Sequence, residues 1–95
     1  MNRKKIPYVA RCAFCEQGLL RLLQCQNCQA VAAICDECEL VWDDVAAVSA
    51  DPQTRSAAAF PRCPACRTKD ATWSRLNKTQ IKRAGLNSYL AGESS

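Results

Sequence analysis

The sequence has no histidine. That removes the side chain most often used for proton transfer near neutral pH, and one commonly found at an open catalytic zinc position. A nucleophilic-serine motif is absent, and the H-x-E half of the zinc-deaminase pattern is missing. Aromatic residues number only six in 95 positions, so a large aromatic core is out of reach. A chain this short needs a staple, and it is long enough for one small domain. No apolar window is long enough to cross a bilayer. The start, MNRKKIPYVARC, carries charge but no apolar segment of signal-peptide length. Together these absences predict a non-enzymatic cytoplasmic protein without a membrane role.

What the chain has instead is cysteine: eight residues, all in C-x-x-C pairs, namely Cys12/Cys15, Cys25/Cys28, Cys35/Cys38 and Cys63/Cys66. Disulfides would suit a secreted chain, and they give no reason for four identical spacings. A metal does. A turn with two intervening residues lets two thiolates grip one ion, and two such turns complete a tetrahedron. Two zinc ions are therefore expected, although four thiolates suit iron as well. The redox alternative needs one exposed low-pKa pair at a helix start, and no pair here is singled out.

The stretch CQNCQAVAAICDEC, residues 25–38, decides which pairs cooperate. Residues 18–24 and 29–34 are short and largely apolar and read as strands. The turn Cys25-Gln26-Asn27-Cys28 would join them into a hairpin. Six or seven extended residues cover about 20 Å, whereas a zinc–sulfur bond is about 2.3 Å. Cys25/Cys28 and Cys35/Cys38 then sit at opposite ends and serve different ions. Antiparallel pairing brings Cys12/Cys15 beside Cys35/Cys38, and Cys63/Cys66 remain for the turn. The expected sets are Cys12, Cys15, Cys35 and Cys38 at site one, and Cys25, Cys28, Cys63 and Cys66 at site two. Sequential pairing, first with second and third with fourth, stays open if residues 29–34 are not extended.

The interleaved order across residues 12–66 resembles the cross-brace zinc domains of the RING, FYVE and PHD type. Those families normally use histidine ligands or basic membrane-binding motifs that this chain lacks, so their activities are not carried over. The segments CAFCEQGLL (12–20) and CDECELVW (35–42) are similar to the two halves of small bacterial zinc-ribbon proteins with a C-P-x-C-G-Q-G … C-D-E-C-x-x-V-W pattern. Ala13 stands in place of the usual proline and Glu16 in place of the usual glycine. This resemblance also implies that Cys12/Cys15 pair with Cys35/Cys38.

Elsewhere the signals are local. Residues 39–42 alternate and extend the sheet, and Asp43 or Asp44 caps a short helix over Val45, Ala46 and Val48. Asp51-Pro52 is a helix-start signal for residues 53–60, with a loop as the rival. Residues 71–76 read as a strand with Trp73 inward. Thr79 is expected to cap a helix through Ala84 that stops at Gly85, and Leu86, Tyr89 and Leu90 form an apolar face toward the metal core. The fold expectation is a small metal-dominated α+β protein: a zinc-ribbon or cross-brace hairpin core, two four-cysteine sites and short helices. Residues 1–11 read as a basic N-terminal arm, 12–90 as a single two-zinc domain with 51–61 a loop or short helix, and 91–95 as a loose tail.

Charge is unevenly spread. Residues 1–18 carry four basic and one acidic side chain, 19–60 two and six, and 61–95 seven and two. A two-signed surface suits a protein partner, and an adaptor, a regulator or a neutraliser of a toxin all fit that expectation. The alternative is a nucleic-acid-binding zinc ribbon using Arg62, Arg67, Lys69, Arg75, Lys78, Lys82 and Arg83, with Arg3, Lys4 and Lys5 as an arm and Trp73 and Tyr89 for stacking. The acidic residues Asp36, Glu37, Asp43 and Asp44 read as solvated surface.

Overall fold

A computed structural model describes residues 6–50, 58–59, 63, 65–69 and 71–94. Its strands are β1 (Ile6–Tyr8), β2 (Ala10–Arg11), β3 (Leu19–Cys25), β4 (Val31–Cys35), β5 (Leu40–Trp42), β6 (Ala58–Ala59), β7 (Trp73–Arg75) and β8 (Gly92–Ser94). Helices α1 (Val45–Ala50) and α2 (Lys78–Arg83) and a 3-10 turn at Asn87–Tyr89 complete it. The described residues thus form an α+β structure made mostly of strands.

The β3–β4 hairpin is the spine, pairing antiparallel from Leu20↔Cys35 to Gln24↔Val31. Leucine-rich β3 has the composition of a helix, but it must span from the first cysteine turn to Cys25 at the other site, and a seven-residue helix covers only about 10 Å. Extended, the chain also buries both faces. Leu22, Ala33 and Trp42 lie in cross-strand register and pack with Leu20, Val45, Val48, Leu76 and Ile81. Ala32, Ile34 and Val41 point the other way, with Leu23 and Trp73 against them. The outer edge of β3 is shared: β2 takes Leu19 and Leu20, and β7 takes Leu23 through Cys25.

The helices close the first face. Asp44 Oδ1 accepts from the Ala47 amide at 3.2 Å, so of the two aspartates expected to cap α1 it is Asp44 that does. At α2 the expected cap was Thr79, and the structure moves it to Asn77. Asn77 Oδ1 accepts from Gln80 N at 2.8 Å while Gln80 Oε1 accepts from Asn77 N at 2.9 Å. This reciprocal box needs Gln or Glu three residues after the cap, which Thr79 lacks and Asn77 has. Gly85, at φ +78°, ends the helix in the left-handed region, as its sequence position suggested. Leu86, Tyr89 and Leu90 pack on the first core from the 3-10 turn that follows.

Two expectations at the ends need correction. Residues 92–94 of the supposed loose tail form β8, and residues 6–8 of the supposed arm form β1. The two pair antiparallel from Ile6↔Ser94 to Tyr8↔Gly92. The main-chain bonds, and Tyr8 lying against Gly92, supply an order that a small polar tail does not advertise. Within 51–61, Ala58–Ala59 are strand, pairing with β5 at Val41 and Leu40, rather than helix. The rest of that stretch, the basic residues 1–5 and Arg62 lie outside the described residues.

Candidate metal centres

All four C-x-x-C pairs adopt one backbone turn. The residue after the second cysteine is left-handed each time: Glu16 at φ 57°, Gln29 at 69°, Glu39 at 64° and Arg67 at 62°. Its amide donates to the carbonyl of the first cysteine, at 3.1, 2.8, 3.2 and 2.7 Å respectively. This closure folds the pair back so that both sulfurs face one point. None of the four positions is glycine, the residue that takes this conformation without a Cβ penalty of about 1–2 kcal/mol. The glycine that Glu16 replaces in the zinc-ribbon pattern thus has a conformational reason.

The turns meet in two groups. Cys12, Cys15, Cys35 and Cys38 form one tetrad and Cys25, Cys28, Cys63 and Cys66 the other, with all sulfurs of a group within 4.8 Å of one another. The memberships are those of the interleaved sets, because β3 and β4 hold the ends of the hairpin apart. Sulfur–sulfur separations are 3.6 Å for Cys12–Cys38, Cys15–Cys35 and Cys28–Cys63, and 3.9 Å for Cys25–Cys66. A disulfide would need about 2.0 Å. A tetrahedron with 2.3 Å metal–sulfur bonds has edges of about 3.8 Å. The donor sets fit a tetrahedral thiophilic ion, and each tetrad could hold one. Among the described residues no carboxylate joins either group.

The surroundings of the sulfurs differ. In tetrad one, the amides of Gln17 and Gly18 hold the Cys15 thiol down at about 6, whereas burial pushes Cys35 up to about 12 against the amides of Cys38 and Glu37. Cys38 is also raised, chiefly by desolvation. In tetrad two, the Thr68 hydroxyl and the Asn27 side-chain amide draw Cys66 down to about 5. The Ala30 amide favours a thiolate at Cys28, yet desolvation and the Cys63, Cys66 and Cys25 sulfurs outweigh it and push that thiol up to about 12. Each bare tetrad therefore accepts an early negative charge and resists the next ones. A divalent cation lowers that resistance, since it neutralises two of the four negative charges and attracts all four thiolates.

Several supporting residues escaped the sequence reading. Gly18 leaves no room for a side chain: a Cβ there would collide with Cys35 Sγ and sit 3.0 Å from Asp36 Oδ1. Asp36 was expected on the solvated surface. It is exposed there, and in addition its Oδ1 accepts from Leu19 N at 2.9 Å and its Oδ2 from Arg21 Nε at 3.1 Å. Arg21, 5% exposed, also donates to the Ile6 carbonyl at 2.7 Å and lies 5.9 Å from the Tyr8 ring centroid. This chain of contacts ties the Cys35/Cys38 turn to β3 and β1. At tetrad two, Asn27 Nδ2 donates to Cys66 Sγ at 3.3 Å and to Thr68 Oγ1 at 2.9 Å, joining the second turn to the fourth. Such partners orient ligands as much as the ligands orient the metal. The signal available in sequence was positional: a short polar residue inside or just after a C-x-x-C turn.

The basic candidates do not gather at one point of a single element. Arg67 and Lys69 flank tetrad two, Arg75 lies on β7 opposite Leu23, and Lys78, Lys82 and Arg83 belong to α2. Lys78 Nζ is 3.0 Å from Glu93 Oε2. Trp73 packs against the second tetrad and the second face of the sheet, and Tyr89 against the first core. No helix among the described residues is long and apolar enough to cross a membrane.

The chain matches no protein-family model, no curated protein and no solved structure. The likenesses to zinc-ribbon and cross-brace proteins therefore rest on cysteine spacing and on the two tetrads.

Three substitutions probe this geometry. Cys25→Ser should lower metal content from two ions to one in native mass spectrometry, because the ligands of the other tetrad are untouched; unchanged content of two would contradict the assignment. Gln29→Gly and Glu39→Gly should each raise the denaturation midpoint of the loaded protein by the equivalent of about 0.5–1 kcal/mol, relief of the left-handed strain less the extra chain entropy of glycine. Alanine at the same positions should bring no gain.

Proposed function

We propose that the protein is a zinc-stapled, non-catalytic docking module that binds another protein. The observation that carries this reading is the completeness of both tetrads: four mutually adjacent sulfurs and no other ligand group among the described residues. A catalytic zinc keeps a coordination position for water or substrate, and four-thiolate centres of this kind close it. Zinc is preferred over iron because its role here is to hold shape, which asks nothing of redox chemistry. Apparent binding of about 10–16 kcal/mol per structural zinc rivals the whole net stability of a small domain, so the ions dominate the folding balance.

Charge supports a protein partner over nucleic acid. The formal net charge of +4 counts eight neutral thiols. Eight thiolates lower it to minus four, and two divalent ions restore it to zero. The loaded protein is then neutral overall, with acidic residues Glu16, Glu37 and Glu39 exposed around tetrad one and Arg67 and Lys69 around tetrad two. The counter-ion release that drives binding to a polyanion needs a clustered positive excess. Opposed patches on a neutral body favour a complementary protein surface. Adaptor, regulator and toxin-neutralising roles all fit such a module.

Three measurements test this reading. Prolonged dialysis against excess strong chelator should abolish the folded spectrum, and the loaded protein should focus near neutrality, well below the pI of about 8.7 for the metal-free sequence. A folded spectrum that survives chelation would remove the structural role of the metal. Titration of the loaded protein with mixed DNA and RNA oligonucleotides at low and high salt should give no salt-steep binding. Tight binding that weakens steeply with salt would overturn the protein-partner reading and direct attention to Arg67, Lys69, Lys82 and Arg83.

A further inference from the structure

Away from both tetrads, a cavity of about 360 Å³ opens between the start of α1, the end of α2 and the 3-10 turn. Val31, Val45, Leu86 and Tyr89 give it an apolar lining, and Asp43 and Asp44 lie at its wall. Both aspartates are exposed, and no ion pair engages either of them among the described residues. Arg83 lines an adjoining hollow that shares Val31 and Ala84 with this one. Trp42 leads directly into Asp43, and its ring meets that of Phe14 with centroids 5.9 Å apart. Phe14, at the tip of the first cysteine turn, is 55% exposed, the exposed large hydrophobic side chain among the described residues.

We propose that this surface, the cavity with its two aspartates and the neighbouring Phe14, is the docking site for a basic segment of a protein partner, an arginine or lysine entering the cavity and an apolar neighbour resting on Phe14. It rests on the protein-binding reading above and deepens it. The fit is chemical on each side. An arginine or lysine stem is apolar and its head cationic, so the stem follows Val31, Val45 and Leu86 while the head meets the carboxylates and the Tyr89 ring. At about 360 Å³ the cavity has room for one long side chain. An exposed aromatic held by a buried one loses little freedom on contact, the property of an interface anchor. Phosphate-bearing ligands meet repulsion from Asp43 and Asp44.

The test uses full-length, metal-loaded protein and a labelled synthetic peptide of alternating arginine and leucine, read by fluorescence anisotropy. Saturable binding is expected. It should weaken about tenfold or more in Asp43→Asn/Asp44→Asn and about fivefold in Phe14→Ala. Asparagine retains the helix-capping geometry of Asp44, so the fold is kept, and metal content checks it. Glu16→Gln/Glu37→Gln removes the same two charges away from the cavity and should change binding by less than about threefold. Arg83→Ala should leave binding equal or tighter. No saturable binding by the peptide, or equal losses in the two double variants, would overturn the site. Salt-steep binding of an oligonucleotide of similar length, unaffected at Asp43 and Asp44, would strike the protein-partner reading. Peptide binding that is unchanged by every variant here would leave that reading standing and refute this surface alone.

Discussion

Four thiolates cannot share a space about 4 Å across unless a cation sits among them, and the rest of this structure is arranged around that constraint. Repulsion between like charges sets the demand. Burial of Cys35, and burial and crowding of Cys28, sharpen it, and the amides at Cys15 and the Thr68 hydroxyl and Asn27 amide at Cys66 ease only the first ionisation. The folded geometry is thus one that the apo chain resists and the ion rewards. The small apolar clusters on the two faces of the sheet need not stabilise the fold alone, which explains how a chain with six aromatics and many alanines can hold a defined shape.

The two centres relate differently to that apolar matter. Cys12 and Cys35 belong to the larger core with Leu20, Leu22 and Trp42, whereas Cys25 and Cys63 share a small cluster with Ala71. Tetrad one closes over residues 12–38 and tetrad two over 25–66. The entropic difference between these loops is well under 1 kcal/mol, because closure cost grows only with the logarithm of length. Packing rather than loop length therefore separates the two centres. The Arg21–Asp36 pair adds to the contrast, since its buried guanidinium is joined to a carboxylate, a carbonyl and an aromatic face at once.

Much of this was legible in the sequence because it is arithmetic. Spacing of the cysteines and the rise per residue of a strand fixed which sulfurs could meet, and the short apolar runs gave β3 and β4. Asp44 and Gly85 announced their places by residue type. What stayed hidden depends on partners distant in sequence. Gly18 is needed because Cys35 approaches it, Asp36 is structural because Arg21 reaches it, and residues 92–94 become a strand because residues 6–8 offer an edge. The cap of α2 is different in kind, because the Asn77/Gln80 box is local: Thr79 is also a capping residue type, and only the Gln three residues after Asn77 separates the two.

The pairing of β1 with β8 has a mechanical consequence. Ile6 and Ser94 are opposite each other at the same end of a two-stranded ribbon, with Tyr8 and Gly92 closing its other end. Force applied through the two flanks of the module would part these strands one rung at a time, like a zip, instead of shearing all rungs together. The load would be spent on a few main-chain hydrogen bonds before reaching the cysteine turns. The body that carries the cysteine turns would stay intact while the two strands peel away, so the ribbon gives way first.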